Sequence, residues 1–384
     1  MSSAKASDWN PRSPAVFNDQ ILAYDAMRRN CPVAYSDYLW WSLFRHGDVL
    51  RVLQDHETFS NAASNHLSIP NAMDPPEHTP YREIIESYFS PERMRAFEPL
   101  CREISESLVA NQPRGEAFEL MAGFAQPFAL RIQCSFMGWP DSLHEPLREW
   151  IARNHRATRA GDRSAMAQIA VEFDGHIKQQ IVRRRDAGQD APDDVTSRLS
   201  HEHIHGRPLS DEEIVSIVRN WTVGELGTIA ASVGILVHYL AEHPALQAEL
   251  RRHPGKLPPA IDEILRIHAP LIANRRVTTC PVDLGGHSLQ AGERLTLIWA
   301  AANRDEAVFG DADRFDPERN AKHNLLYGAG VHVCPGAPLA RLELRVIMEA
   351  LLAGTSDITV DAGGLPERAS FPASGFVSLP VTWR

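Results

Sequence analysis

Cysteine is scarce in this sequence, and its few positions are scattered. The five residues are Cys31, Cys101, Cys134, Cys280 and Cys334, an odd number without the close pairs of a zinc site. Neither a disulfide framework nor a zinc knuckle is therefore expected. A four-cysteine cluster for an iron–sulfur centre and a GxGxxG segment after a strand are also absent from the sequence.

Basic residues are fewer than acidic residues. Lysine and arginine together number 39 against 49 aspartates and glutamates, which gives a net charge of −10 at pH 7. Without a basic run, nucleic acid is not an expected partner. The first residues hold no apolar stretch that resembles a signal peptide, and no later stretch is expected to span a bilayer. The sequence therefore predicts a cytoplasmic protein without membrane association.

The composition is that of a folded protein. Hydrophobic residues make up 43% of the 384 positions and charged residues 23%, as in soluble globular proteins. Amphipathic patterns over residues 92–190 predict successive helices, and alternation around Gly285 and after Arg294 predicts a small hairpin sheet. We expect a mainly α fold with small β-sheets.

A long central helix is predicted between Ser210 and His243. Ser210 and Glu213 form a capping box, and the helical pattern then continues for roughly 50 Å at 1.5 Å per residue. Most of its sides are apolar, which is typical of a buried helix. The middle of this helix, residues 222–228, contains two glycines and a glutamate, so a kink or a functional groove is expected there.

A glycine-rich loop that runs into a helix carries Cys334. Gly328, Gly330 and Gly336 are expected to permit tight turns and close approach to a planar ligand. A sulfur at a helix N-terminus is stabilised as the thiolate, the form that binds metals. Since Pro335 has no N–H, the thiolate must accept hydrogen bonds from Gly336 and later amides. For a lone cysteine the alternative is a small buried hydrophobic residue.

The loop reads Y-G-A-G-V-H-V-C-P-G-A-P-L-A-R over residues 327–341. It resembles the haem-thiolate loop of the cytochrome P450 family, aromatic-G-x-G-x-H-x-C-x-G-x-x-L-A-R, at every fixed position. The resemblance implies one haem-thiolate monooxygenase domain over residues 1–384, with the cytochrome P450 fold and a long central helix over a buried haem. It implies haem b, iron protoporphyrin IX, as cofactor and Cys334 as the iron ligand, with Tyr327, Gly328 and Gly336 beside the cofactor.

Four basic residues are expected to bind the haem propionates. His78 and Arg82 are four residues apart at a helix start, so both can point at one anionic group. In the family these two positions hold a propionate; a solvated helix face is the alternative. Arg276, by its distance from Pro270, and His332 complete the set that the resemblance implies.

Three weaker motifs occur in the order that the family shows. Glu263 and Arg266 share one helix face, and such a pair alone is most often a surface ion pair. The resemblance implies that Arg319, in the segment F-D-P-E-R, joins them to stabilise the core below the haem.

The middle of the central helix departs from the family pattern A-G-x-D/E-T, in which the threonine and the acid deliver protons during oxygen activation. Thr228 matches the threonine, but Gly227 occupies the place of the acid. Glu225 stands where the family has glycine and lies on the same helix face as Thr228. Two interpretations are open: Glu225 supplies the displaced carboxylate, or it pairs with a basic group and only shapes the helix.

The predicted reaction inserts one oxygen atom from O2 into a small, mostly apolar organic substrate by hydroxylation or O-dealkylation, with an aromatic compound among the candidates. Alternatives are a peroxide-driven peroxygenase and a non-catalytic haem sensor or carrier. The polar loop Ser60–Pro76 is a candidate recognition segment. The expected substrate contacts are Leu67, Ile69, Asn220, Val223, Gly224, Leu271, Ile272, Asn274 and Phe371.

A separate ferredoxin or flavodoxin with its reductase is expected to supply the electrons. Such partners are usually acidic, so the docking face should be basic. The candidates, each of which could equally be ordinary solvated surface, are Arg93, Arg95, Arg102, Arg341 and Arg345.

Overall fold

The structure is a computed structural model that describes residues 7–63 and 66–384. Residues 64 and 65 of the candidate recognition loop lie outside the described residues. Helices dominate the described part of the chain, as the sequence predicts. They are α1 (Pro14–Asn18), α2 (Gln20–Asn30), α3 (His46–Gln54), α4 (His78–Ser87), α5 (Pro91–Ala110), α6 (Gln126–Met137), α7 (His144–Ala160), α8 (Arg163–Ala187), α9 (Val195–Leu199), α10 (Asp211–Glu242), α11 (Pro244–Arg252), α12 (Leu257–His268), α13 (Trp299–Ala302), α14 (Glu306–Phe309), α15 (Pro317–Asn320) and α16 (Ala337–Gly354).

The strands are short and form small sheets. They are β1 (Val33–Ser36), β2 (Trp40–Leu43), β3 (Phe59–Ser60), β4 (Ala117–Glu119), β5 (His203–Ile204), β6 (Arg207–Pro208), β7 (Ala273–Thr278), β8 (Val282–Leu284), β9 (His287–Leu289), β10 (Arg294–Ile298), β11 (Ile358–Val360), β12 (Glu367–Arg368), β13 (Phe376–Ser378) and β14 (Pro380–Trp383). The hairpin predicted around Gly285 is β8 with β9. The prediction of a mainly α fold with small sheets is confirmed.

The largest sheet has the strand order β1-β2-β10-β7-β3. Strand β10 pairs parallel with β2 and antiparallel with β7, with Leu295 opposite both Trp41 and Arg276. Leu295 is fully buried in the core of this sheet. Because side chains alternate along a strand, this register fixes the face on which Arg276 lies.

Helix α10 is the predicted central helix. Its 32 residues span about 48 Å. Both arms of the capping box form: the Ser210 side chain accepts from the Glu213 N–H, and the Glu213 carboxylate accepts from the Ser210 N–H. The helix is assigned without interruption through residues 222–228, where a kink or a functional groove was expected. It packs against α6, α8, α12 and α16.

By length and composition, α10 meets the criteria for a membrane span, contrary to the expectation that no stretch would do so. Its most apolar window is, however, 67% buried within the fold. A core helix of a folded domain is apolar on most sides for the same reason, namely that protein surrounds it. The apolar character of α10 is therefore explained by burial.

Helix α16, which follows the Cys334 loop, packs along α5. Its buried face includes Leu339, Leu342, Val346, Ile347 and Ala350, which recur at helical spacing. These side chains belong to the largest hydrophobic cluster, which α10 also joins. The Cys334 loop is thus attached to the most extensively packed part of the molecule.

Candidate functional site

The loop before Cys334 is closed by tight backbone contacts. Gly328 and Gly330 have φ of +79° and +71°, which side-chain-bearing residues rarely adopt. A Cβ at Gly330 would lie 2.2 Å from the carbonyl oxygen of Leu53. The Cys334 N–H donates to the Tyr327 carbonyl oxygen at 2.8 Å. Glycine is required at these two positions by conformation and, at Gly330, also by the proximity of α3.

Gly336 differs from the other two glycines. Its φ of −80° is ordinary, and a Cβ there would lie 3.9 Å from the Cys334 Sγ, at van der Waals contact. The expectation that Gly336 is needed for a tight turn is therefore wrong. Its backbone matters instead, since the N–H groups of Gly336 and Ala337 hydrogen-bond the Cys334 sulfur, as the missing N–H of Pro335 predicts.

The Cys334 thiol faces an internal space. Protein atoms surround it closely enough that burial raises the pKa of the thiol, while the hydrogen bonds from Gly336 and Ala337 act to lower that pKa. The residue nevertheless has exposed surface. A sulfur that is enclosed yet accessible, at the N-terminus of α16, is placed to bind a metal from within the fold.

The middle of α10 also faces an internal space. Val223 is 51% exposed, although α10 is buried on both sides of this stretch. A Cβ built at Gly224 or Gly227 meets no atom within 4 Å. The Thr228 hydroxyl donates to the Gly224 carbonyl oxygen at 2.6 Å. This open face of an uninterrupted helix is what the groove interpretation predicted.

The four residues predicted to bind propionates come together. His78, Arg82 and Arg276 are buried, and the rings of His78 and His332 lie 4.5 Å apart. Burial and the neighbouring cations His78 and Arg276 lower the pKa of His332 to about 3. Burial, followed by the charge of Arg82, lowers the pKa of His78.

Two carboxylates lie close to this basic cluster. Glu86 accepts a hydrogen bond from the Arg82 Nε at 2.7 Å. Asp74 is the other, and one of its oxygens lies 3.9 Å from the His332 Nε2, beyond hydrogen-bond distance. Asp74 already accepts hydrogen bonds from the Ser60 hydroxyl and the Asn61 N–H. Among the described donors and acceptors, the Nε2 atoms of His78 and His332 find no partner. Buried nitrogens without a partner can donate hydrogen bonds to a ligand that carries acceptor oxygens.

The donor set fits haem. A thiolate sulfur can hold the iron, two arginines and two histidines can hold the propionates, and the backbone at Gly224 and Gly227 leaves open space on α10. The Tyr327 ring is buried under the Arg341 guanidinium, whose carbon is 4.4 Å from the ring centroid. Sequence reasoning missed Trp299, which lies 3.7 Å from a Cβ built at Gly328.

Glu263 and Arg266 form a buried ion pair. Two hydrogen bonds of 2.8 and 2.9 Å join them, and both side chains are essentially inaccessible. The prediction that Arg319 is the third partner of this pair is wrong. Glu263 instead accepts from the Asn320 amide at 2.7 Å and the Asp316 N–H at 3.0 Å, while Arg319 is exposed and packs against Gly310. The one-turn helix α15 directs residue 320, and not residue 319, toward the core.

The predicted substrate contacts separate into two groups. Leu67, Leu271 and Asn274 are exposed, as are Val223 and Gly224 on α10. Ile69 and Ile272 are instead at most 1% exposed and belong to hydrophobic clusters. Phe371 packs beside one of these clusters, and its ring centroid lies 6.1 Å from that of Tyr38. Apart from Asn274, the exposed group is apolar.

Asn220 does not offer a free amide to a substrate. Its Nδ2 donates to the Ile69 carbonyl oxygen at 2.9 Å, and its Oδ1 accepts from the Ser68 hydroxyl at 3.1 Å. The prediction of Asn220 as a substrate contact is therefore not supported, because the recognition loop uses both ends of the side chain.

Two further residues of α10 hold the same loop. The Ser216 hydroxyl accepts from the Ile69 N–H at 2.9 Å and donates to the Leu67 carbonyl oxygen at 3.1 Å. Arg219 donates to that carbonyl oxygen at 2.8 Å and also pairs with Asp174 of α8. Polar residues on the face of a mostly apolar helix were the available sequence signal. We call Ser216, Arg219 and Asn220 the loop clamp.

Loss of the Asn220 side chain should loosen this loop. We expect Asn220→Ala to lower the free energy of unfolding by about 1–2 kcal/mol, the net value of two partly buried hydrogen bonds, and to speed proteolytic cleavage near Ile69. Urea unfolding and limited proteolysis measure these effects. Asn111→Ala, which removes an exposed amide, is the control. Unchanged cleavage together with weakened substrate binding would instead support the substrate-contact prediction.

One interpretation required Glu225 to pair with a basic group, but its neighbour is an acid. Its carboxyl group lies within hydrogen-bonding reach of Glu343 on α16. Burial raises the pKa of Glu225 to about 7. Sequence reasoning missed Glu343, because no local pattern links two residues on helices so far apart in the chain.

Three of the arginines considered for partner docking are paired within the fold. Arg102 and Arg345 share Glu98 and Glu349 across α5 and α16. Arg341 pairs with Asp262. A basic docking face is thus weaker than the sequence suggested, because local acids neutralise much of it.

Comparisons with known proteins agree with this site. A sequence model of the cytochrome P450 family matches residues 257–354. The chain is 33% identical over 349 residues to erythromycin C-12 hydroxylase of Saccharopolyspora erythraea, covering 87% of each chain. It is 28% identical over 371 residues to linalool 8-monooxygenase of Pseudomonas putida, covering 88% of this chain and 90% of that protein.

The fold matches as well. The solved structure of open cytochrome P450 EryK from S. erythraea superimposes with a TM-score of 0.86 at 31% identity, over 96% of this chain and 97% of that chain. The chain belongs to the cytochrome P450 family of haem-dependent monooxygenases.

Proposed function

We propose that residues 1–384 form one haem-thiolate monooxygenase domain in which Cys334 holds the iron of haem b. The observation that carries this proposal is the accessible Cys334 sulfur beside a cluster of two arginines and two histidines, in which the Nε2 atoms of His78 and His332 have no hydrogen-bond partner among the described residues. Neither the sulfur nor the basic cluster alone identifies a cofactor, but together they match the two chemically distinct parts of haem. A cytoplasmic location stays a prediction.

The chain contributes binding and orientation. Gly336 and Ala337 donate N–H groups to the Cys334 sulfur, which favours the thiolate needed for ligation. His78, Arg82, Arg276 and His332 bind the propionate carboxylates and thereby fix the orientation of the ring. When bound through a thiolate, haem favours cleavage of the O–O bond, so that one oxygen enters the substrate and the other leaves as water.

The absorption spectrum of the reduced carbon monoxide complex tests this assignment. A strongly red-shifted Soret band reports thiolate ligation. Such a band in the purified protein supports the proposal, whereas an unshifted band or the absence of haem contradicts it.

We propose a small, mostly apolar substrate that is hydroxylated or O-dealkylated. Among the expected substrate contacts, the exposed ones are the apolar side chains Leu67, Val223 and Leu271, with Gly224 leaving space and Asn274 as a polar group. Relatives named for erythromycin and for linalool span large and small substrates, so likeness alone does not decide the size. A screen for type I spectral shifts tests it: shifts with small aromatic ethers, phenols or terpenes support the proposal, and shifts with macrolides or peptides alone overturn it.

Thr228 is proposed to handle protons on the open face of α10. We expect Thr228→Ala to lower the fraction of consumed O2 that appears as product by about 10-fold, because a positioned proton donor is lost. Oxygen uptake measured against product formation checks this. Ser232→Ala is the control. Like the Thr228 hydroxyl, the Ser232 hydroxyl donates to a carbonyl oxygen one turn earlier, but Ser232 is buried. This variant should leave the ratio of product to consumed O2 unchanged. Equal coupling in both variants would rule out the role.

A separate ferredoxin or flavodoxin with its reductase is the proposed electron source. Turnover is compared with a reconstituted ferredoxin system and with hydrogen peroxide alone. Faster turnover with the redox partner supports a monooxygenase. Faster turnover with peroxide supports a peroxygenase, the alternative favoured by glycine at position 227.

A further inference from the structure

Two carboxyl groups face each other between α10 and α16. Glu343 is fully buried, and neither of its carboxyl oxygens has a hydrogen-bond donor among the described residues. The Oε1 of Glu225 is likewise buried and without a donor. The two side chains are within hydrogen-bonding reach of each other, so a proton between them is the partner that these oxygens otherwise lack.

Among the described residues, the groups that act on Glu343 are Glu225 and the thiol of Cys101 on α5, and no base is among them. Burial raises the pKa of the Cys101 thiol to about 12, so it is neutral. Glu225 also interacts with the Cys334 thiol. Two carboxylates in contact inside a protein cannot both ionise near neutral pH. Burial raises the pKa of Glu225 to about 7 and that of Glu343 above its ordinary value. Because Glu343 is the more deeply buried of the two, it is the member that stays protonated and donates a hydrogen bond to Glu225.

The pair lies next to the internal space. Glu225 precedes Thr228 by three residues, less than one turn of α10, and is flanked by Gly224 and Gly227, where a Cβ meets no atom. Glu225 as a whole residue is only partly buried, while Glu343 is completely buried behind it. The arrangement thus has an outer acid at the space and an inner acid that supports it.

We propose that Glu225 and Glu343 share a proton, with Glu225 as the proton donor of oxygen activation and Glu343 as a positioning residue. This inference rests on the proposed function. Glu225 releases one proton to the reaction and is reprotonated from bulk water, so each proton delivered is replaced by one from solvent and no electron moves. The shared proton stays bonded to Glu343, and the hydrogen bond that it makes holds the Glu225 carboxylate toward the space. The acid absent at Gly227 is thereby replaced from a different helix position.

Infrared spectroscopy of the holoenzyme tests the shared proton directly. The wild-type protein should show the C=O stretch of a protonated carboxyl at pH 8, and this band should be missing in Glu343→Gln. As the pH falls, a second carboxyl band should appear with a midpoint of about 7 and should be missing in Glu225→Gln. If both variants keep the wild-type bands, the pair does not share a proton.

Turnover tests the role. Glu225→Gln should lower product formed per O2 by about 10-fold or more and remove the pH dependence near 7, whereas Glu343→Gln should shift that midpoint. Glu242→Gln, an exposed change at the end of α10, is the control. Wild-type coupling and pH dependence in both variants would overturn the proposal. The reduced carbon monoxide spectrum separates failure of this proposal from failure of the proposed function. An unshifted band in the wild-type protein contradicts the haem-thiolate function itself.

Discussion

Replacement of Cys334 by serine abolishes the red-shifted carbon monoxide band and lowers product formation by more than about 100-fold. This is the largest effect that we expect, because loss of a residue that only supports a metal ligand already costs about 10- to 100-fold. Serine keeps the size of the side chain and the bond from the Cys334 N–H to the Tyr327 carbonyl oxygen, so the loop should still fold.

The control for this variant is Cys280→Ser. Cys280 is a free, exposed cysteine outside the site, and its replacement should change neither the spectrum nor turnover. Absorption spectroscopy of both purified variants makes the comparison. A red-shifted band that survives in Cys334→Ser, or that disappears in Cys280→Ser, would assign the iron ligand to another residue.

Glu263→Gln should destabilise the fold by about 3–5 kcal/mol, since it leaves the fully buried Arg266 guanidinium without its counter-charge. The amide keeps the shape of the carboxyl group, so the loss reports charge and not volume. Arg266 also donates to the Asn303 and Ala312 carbonyl oxygens, which tie α12 to the segment leading to the cysteine loop. Chemical unfolding in urea, with haem content measured in parallel, quantifies both effects.

Glu145→Gln provides the comparison for an exposed pair. Glu145 and Arg148 make an ion pair of similar geometry on the surface of α7, where solvent screens the charges. We expect no measurable change in the unfolding midpoint for this variant. A loss for Glu263→Gln that is no larger than for Glu145→Gln would mean that the buried pair contributes little.

The sequence predicted those parts of the site that depend on spacing within one element. The Cys334 loop, the capped central helix and the His78–Arg82 pair each use a fixed local geometry, so residue type and spacing suffice to place them. Bringing these parts together needed the resemblance to a family. No local pattern states that Arg276 on a strand and His332 in a loop meet His78.

The errors occurred where side-chain direction decides the outcome. Arg319 and Asn320 are neighbours in sequence, yet α15 directs only Asn320 to Glu263. Asn220 was expected at the substrate because it lies on α10 one turn before Gly224, but its amide is hydrogen-bonded to the recognition loop. Glu343 could not be found, because a lone glutamate on an amphipathic helix is most often solvated. Tertiary contacts outweigh residue type in all three cases.

The loop clamp has a consequence for the kinetics of substrate entry. Ser216, Arg219 and Asn220 hold the recognition loop with five hydrogen bonds, and Arg219 links it to α8. If substrate enters beside this loop, the bonds must break before binding, so opening is a unimolecular step. The observed rate of the type I shift should then reach a plateau as substrate concentration rises. Asn220→Ala should raise that plateau. The rate of substrate binding would then be set by loop opening and not by affinity.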